Sequence, residues 1–224
     1  MSLVSENIAQ RHAAVSPARV VRSRGGKRVF DIVFALSSIV FLLPALALIA
    51  LALLIIDGRP IIFRHRRVGR NGRSFDCLKF RSMRKDADKA LKELLASNPD
   101  RLREWTETQK LKSDPRVHWL GKYMRITSLD ELPQLFNVLR GEMSIVGPRP
   151  IVTEELERYG PQAHCYLAMN PGITGLWQVS RRDGTSYEER VRFDVDYYHS
   201  VSFSRDMGII LRTVGVVLFA QNER

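Results

Sequence analysis

The sequence predicts an α+β fold, mostly helical with a small β-hairpin or sheet, opened by a proline-kinked membrane helix and closed by an amphipathic interfacial helix. Three observations carry this. A run of 25 residues, Ile32 to Ile56, contains no charge. Two short strand-like runs, Pro60–His65 and Ser74–Phe80, flank the turn-forming Gly69–Gly72. Most of the remainder repeats its apolar residues at helical spacing.

The charge-free run would be about 37 Å long as a straight helix, against a hydrocarbon core of about 30 Å. Pro44 stands at its centre, with twelve residues on each side. Proline lacks an N–H and clashes with the preceding turn, so a kink is expected there. Both flanks are basic: Arg19, Arg22, Arg24, Lys27 and Arg28 before, Arg59, Arg64, Arg66, Arg67 and Arg70 after. With no charge asymmetry to orient a span, two geometries remain open: a tilted span, or a re-entrant helix with both ends on the cytoplasmic face.

The chain divides into a disordered basic tail (1–26), the membrane helix (27–58) and a soluble domain (59–224). Helices are expected over Asp86–Ala96, Arg101–Lys112, Leu129–Leu139, Glu154–Tyr159, Gln162–Met169 and Tyr187–Tyr198. The last segment, Phe203–Phe219, has Arg205, Asp206 and Arg212 as its only charges and suits the membrane interface or, as the alternative, the core. The net charge of +11 calls for an anionic partner: nucleic acid, anionic lipid or a phosphorylated substrate. No nucleic-acid-binding module is recognisable, so no nucleic-acid partner is expected. The two cysteines, Cys77 and Cys165, are too few and too distant for a disulfide framework.

Four segments carry residues suited to phosphate chemistry. Ser128-Leu-Asp-Glu131 fits a capping box, with acids favoured by the helix dipole. Pro133 disturbs that reading, because it would leave a carbonyl unpaired inside the first turns. An ionised Asp130 could attack phosphorus, and Glu131 could hold a hard cation. Lys79-Phe-Arg-Ser-Met83 puts two cations and the Ser82 hydroxyl within four residues; on a strand Lys79 and Arg81 share a face, as a phosphate clamp needs. In Gly141–Pro150, Arg149 is held between two prolines. Pro171–Val179 reads as tight turns around a short apolar strand, followed by Arg181 and Arg182 in a turn. Taken singly, each segment also reads as ordinary structure: a helix cap, a solvated edge strand, a loop, a turn.

Lys27-Arg-Val-Phe-Asp31, the Pro44 segment, Lys79–Met83, Ser128–Gln134, Gly141–Pro150 and Pro171–Gln178 occur in one order that resembles the bacterial sugar transferases, the monotopic phosphoglycosyl transferases. The wording is nearest to members that start exopolysaccharide repeat units. The resemblance implies a UDP-sugar donor (galactose or glucose), undecaprenyl phosphate as acceptor, Mg²⁺ as cofactor and the cytoplasmic face of the bacterial inner membrane as location. It implies a re-entrant membrane helix kinked at Pro44. It assigns Asp130 as nucleophile in a ping-pong transfer that releases UMP, and Glu131 to the metal. Lys79, Arg81, Ser82, Arg125, Arg149 and Arg182 would surround the phosphates. Two departures stand out: Leu43 precedes Pro44 where many members have Ser, and Ser180-Arg-Arg-Asp183 stands where many read Gly-Arg-Asn.

Overall fold

The computed structural model describes residues 24–108, 111, 114–180 and 185–219. Most of the expected tail, and both Arg181 and Arg182, lie outside the described residues. The elements in order are α1 (Arg24–Asp57), β1 (Ile62–Val68), β2 (Ser74–Phe80), α2 (Ala87–Ser97), α3 (Pro99–Thr108), α4 (Trp119–Thr127) and a 3₁₀ turn (Leu129–Glu131). Then follow α5 (Gln134–Arg140), β3 (Ser144–Val146), α6 (Thr153–Leu156), a 3₁₀ segment (Glu157–Gln162), α7 (Ala163–Leu167) and β4 (Gly172–Thr174). The chain closes with α8 (Leu176–Ser180), α9 (Tyr187–Ser200) and α10 (Phe203–Phe219). The mostly helical α+β expectation holds.

The helix α1 starts at Arg24, taking in three residues assigned above to the tail, and continues through Pro44 as one element. It is long and apolar enough to cross a membrane. Its end is well defined. Gly58 adopts φ 66° and its N–H donates to Leu54 O at 3.0 Å, a left-handed cap that glycine takes without strain.

The chain forms two compact units. One comprises Met1–Leu43, Arg64–Leu78 and Pro133–Arg224; the other comprises Pro44–Phe63 and Lys79–Leu132. In the first, Ala35 on α1 is fully buried in a core with Phe75, Cys77, Leu135, Val138, Met143, Ile145 and Tyr197. Polar contacts lock the same face of α1. Asp31 accepts from the Ile145 N–H at 3.0 Å and the Ser144 hydroxyl at 2.8 Å. Lys27 pairs with Asp206 at 2.7 Å. Arg28 donates to the Val138 and Leu139 carbonyls at 2.6 and 2.9 Å, satisfying groups that the last turn of α5 leaves unpaired. The opposite face exposes Val29, Val33, Leu36, Val40 and Phe41, an apolar stripe of the kind that marks an interaction surface.

The third and fourth sequence segments meet inside this unit. β3 pairs in parallel with β4, Ser144 opposite Gly172 and Val146 opposite Thr174. A Cβ on Gly172 would lie 2.1 Å from Gly147 N, and one on Gly175 would lie 2.1 Å from Gly147 O. These glycines are therefore required by backbone approach rather than by turn geometry. The expected strand ends early: Leu176–Ser180 is helical, and Trp177 packs half-buried on Phe193.

In the second unit, Leu46 and Leu53 of α1 are buried, while Leu48, Leu51, Leu54, Ile55 and Ile56 are exposed. Here α4 packs against the Lys79–Met83 segment. A Cβ on Gly121 would sit 2.0 Å from Ser82 O, so only glycine allows this approach. The helix is capped by His118, whose Nδ1 accepts from the Gly121 N–H at 2.9 Å.

Candidate active site

Asp130 and Glu131 sit in a 3₁₀ turn between α4 and α5. The capping-box expectation fails here. Ser128 has φ 57° and ends α4 in the left-handed region; its side chain caps nothing. The irregularity signalled by Pro133 is real, since Pro133 is the residue from which α5 starts. The turn holds the two carboxyls next to each other, Asp130 buried and Glu131 half-buried.

The second unit brings Lys79, Arg81, Ser82, Arg125, Asp130 and Glu131 together in one compact body. Lys79 Nζ lies 2.6 Å from Glu131 Oε1. Arg125 Nε donates to Ser82 Oγ at 2.8 Å. The position of α4, set by Gly121 and His118, places Arg125 for this contact.

The ionisation of Asp130 departs from the dipole argument. Burial raises its carboxyl above the ordinary value; the charge of Lys79 opposes that, Glu131 adds to it and Arg125 opposes it. A single 3₁₀ turn has little dipole to offer, so desolvation wins. The result is a buried carboxylate whose charge depends on two cations, both of a type that binds phosphate.

Arg81 is placed differently from the expectation. β2 ends at Phe80, so Arg81 lies just past the strand. Its guanidinium donates to the carbonyls of Asp57, Gly58 and Pro60 and pairs with the Asp57 carboxylate at 2.7 Å. It thus closes the C-terminal end of α1. Arg149 belongs to the other unit, where its side chain is exposed.

Two features escaped the sequence reading. Asp114 grips Arg116, with Oδ1 2.8 Å from Nε and Oδ2 2.6 Å from Nη2. Burial would raise Asp114, but the Arg116 guanidinium and backbone N–H hold its carboxyl below the ordinary value. His118 was also missed. An acid and an arginine around Pro115 were the available signal for a structured turn.

Mg²⁺ favours one or two carboxylates completed by water and substrate phosphates. No group of three metal-ligating side chains occurs among the described residues. Adjacent Asp130 and Glu131 carboxyls, each raising the local negative charge, fit such a sparse donor set.

The chain thus carries a buried carboxyl beside cationic side chains and a helix long and apolar enough to cross a membrane. The family described as bacterial sugar transferase matches residues 22–220, and the chain belongs to that family. It is 52% identical over 196 residues to the UDP-galactose-lipid carrier transferase of Erwinia amylovora, covering 88% of this chain and 41% of that one. It is 46% identical over 203 residues to the exopolysaccharide production protein ExoY of Sinorhizobium fredii, covering 90% of each. It is 49% identical over 196 residues to the undecaprenyl-phosphate galactose phosphotransferase of Salmonella typhimurium, covering 88% of this chain and 41% of that one. The chain therefore spans less than half the length of two of these relatives and nearly all of the third.

Proposed function

We propose that the protein transfers a sugar 1-phosphate from a UDP-sugar to undecaprenyl phosphate, releasing UMP, as the first membrane step of exopolysaccharide synthesis. The observation that carries this reading is the buried Asp130 carboxyl under the charges of Lys79 and Arg125. An Asp130 oxygen attacks the sugar-linked phosphorus. The bond from that phosphorus to the bridging oxygen breaks, and UMP leaves with the electron pair. An oxygen of the lipid phosphate then attacks the same phosphorus and frees the Asp130 carboxylate. Splitting the transfer in this way is covalent catalysis.

Lys79, Arg125 and the Ser82 hydroxyl bind and orient phosphate oxygens, and Arg149 retains the phosphate-binding role implied by the resemblance. Arg182 retains the role implied by the resemblance. Arg81 acts by fixing the end of α1 rather than by touching phosphate. Mg²⁺, held by Glu131, would neutralise charge on the leaving UMP. The Lys79 ammonium lowers the cost of ionising Asp130, as a carboxylate nucleophile requires.

Galactose is the favoured sugar, since two of the similar proteins carry galactose in their names. The helix α1 lies in the membrane with its exposed Leu and Val residues in lipid, entering and leaving on the cytoplasmic face around Pro44. The exposed Leu211, Val214 and Val217 of α10 suit the interface. The test is UMP release from a panel of UDP-sugars with undecaprenyl phosphate present. Release from UDP-galactose above UDP-glucose and the N-acetylated sugars is expected; no release from any of them sinks the proposal. Labelling of single cysteines placed at both flanks of α1 should reach both from the cytoplasmic side only.

A further inference from the structure

The loop Gly147–Pro150 is gripped by its carbonyls. Arg190 Nη2 donates to Arg149 O, and Arg67 Nη1 donates to Pro150 O, both at 3.4 Å. The two guanidinia share one carboxylate. Glu155 Oε1 is 3.3 Å from Arg190 Nη1, and Glu155 Oε2 is 3.6 Å from Arg67 Nη1. Glu155 also accepts from the Val152 N–H at 3.1 Å, two residues past the loop. The flanking chain is pinned as well. Val68 N donates to Ile151 O at 2.9 Å, and the Tyr166 hydroxyl donates to Val68 O at 2.7 Å while accepting from Ile151 N at 3.2 Å.

Arg67 and Arg190 both pair with the Glu155 carboxylate, and Arg190 also feels the charge of Asp194. Arg190 is buried and Arg67 largely so, and a desolvated cation left without its anion is costly. Glu155 is therefore saturated by the two inner arginines. The Arg149 side chain stays exposed and makes no ion pair among the described residues.

We propose that Glu155 is a positioning residue: acting through Arg67 and Arg190, it fixes the Arg149 backbone and leaves the Arg149 guanidinium free for a phosphate. This rests on the reading of Arg149 as a phosphate contact. Glu155 touches no substrate; it sets the loop that does.

The test is Glu155→Gln in the full chain in detergent, which keeps an acceptor for Val152 but removes the shared charge. Amide exchange of the segment 147–152 should quicken about tenfold, as for loss of one charge-assisted hydrogen bond, with exchange elsewhere unchanged. Arg190→Lys, which keeps the charge but loses the guanidinium bridge between Glu155 and the Arg149 carbonyl, should give a smaller change in the same segment, and keeps the test alive if Glu155→Gln folds poorly. In UMP release, Glu155→Gln should raise KM for the UDP-sugar and leave kcat nearly unchanged. On an Arg149→Ala background it should have no further effect. Unchanged exchange, or additive penalties in the double variant, would overturn the proposal. Wild-type protein that releases no UMP sinks the functional reading alone, because the exchange result stands without turnover.

Discussion

Asp194 offers a quantitative test of the packing. It is 1% exposed on α9, where it accepts from the Tyr159 hydroxyl at 2.7 Å. Burial pushes its carboxyl up to about 6, with the Tyr159 hydrogen bond and the Arg190 charge opposing the shift. A folded pKa above the unfolded one means that the native state prefers the protonated acid. Its contribution is fully present below the unfolded value and is lost as pH rises through about 6. A rise of about two units is worth about 3 kcal/mol at pH 8 relative to pH 3. Asp194→Asn cannot ionise but can still accept from Tyr159. Its buried amide N–H groups would cost roughly 1–3 kcal/mol at every pH if unpaired, so the absolute offset is uninformative and the slope decides. Melting temperatures in detergent, taken across pH 3 to 8, should fall for wild type relative to Asp194→Asn by an amount equivalent to about 3 kcal/mol. Parallel profiles for the two proteins would refute the burial argument.

Three further outcomes follow from the contacts. Lys79→Met removes the largest charge opposing the desolvation of Asp130, so the acidic limb of UMP release should move to higher pH; a limb that stays put would separate Lys79 from the nucleophile. Gly121→Ala drives a Cβ into the Ser82 carbonyl and should cost roughly 1–3 kcal/mol by overpacking, lowering both melting temperature and turnover; unchanged values would mean that α4 shifts freely. Asp31→Ala leaves the buried Ile145 N–H without its acceptor, and should cost about 1–3 kcal/mol in the melting of the first unit.

Much of this architecture was legible because local rules act where tertiary contacts agree with them. The β1–β2 pair follows from strand formers on either side of Gly69–Gly72, and α9 from the helical spacing over Tyr187–Tyr198; the structure opens it with a capping box between Ser186 and Glu189. α4 was not legible: Trp119, Tyr123 and Ile126 lie along its exposed side, so its apolar spacing marks no core face. β3 and β4 are three residues each, too short to show alternation, and exist because Gly147, Gly172 and Gly175 let two backbones touch. At the site, residue types and order singled out Lys79, Arg125, Asp130 and Glu131, which the fold gathers in one unit. Arg81 was misjudged because its partners are carbonyls at the end of α1, more than twenty residues away in sequence. The direction of the Asp130 shift was misjudged because burial is a tertiary property, and it outweighs the local dipole.

The central claim is that Asp130 becomes covalently bonded to the phosphosugar. Its most direct test is the intact mass of the protein after incubation with a UDP-sugar and Mg²⁺, without lipid phosphate. Wild type should gain the mass of one sugar phosphate, lost again when undecaprenyl phosphate is added, and Asp130→Asn should gain nothing. A wild type that releases UMP only when the lipid phosphate is present, with no adduct under any UDP-sugar, would contradict the account.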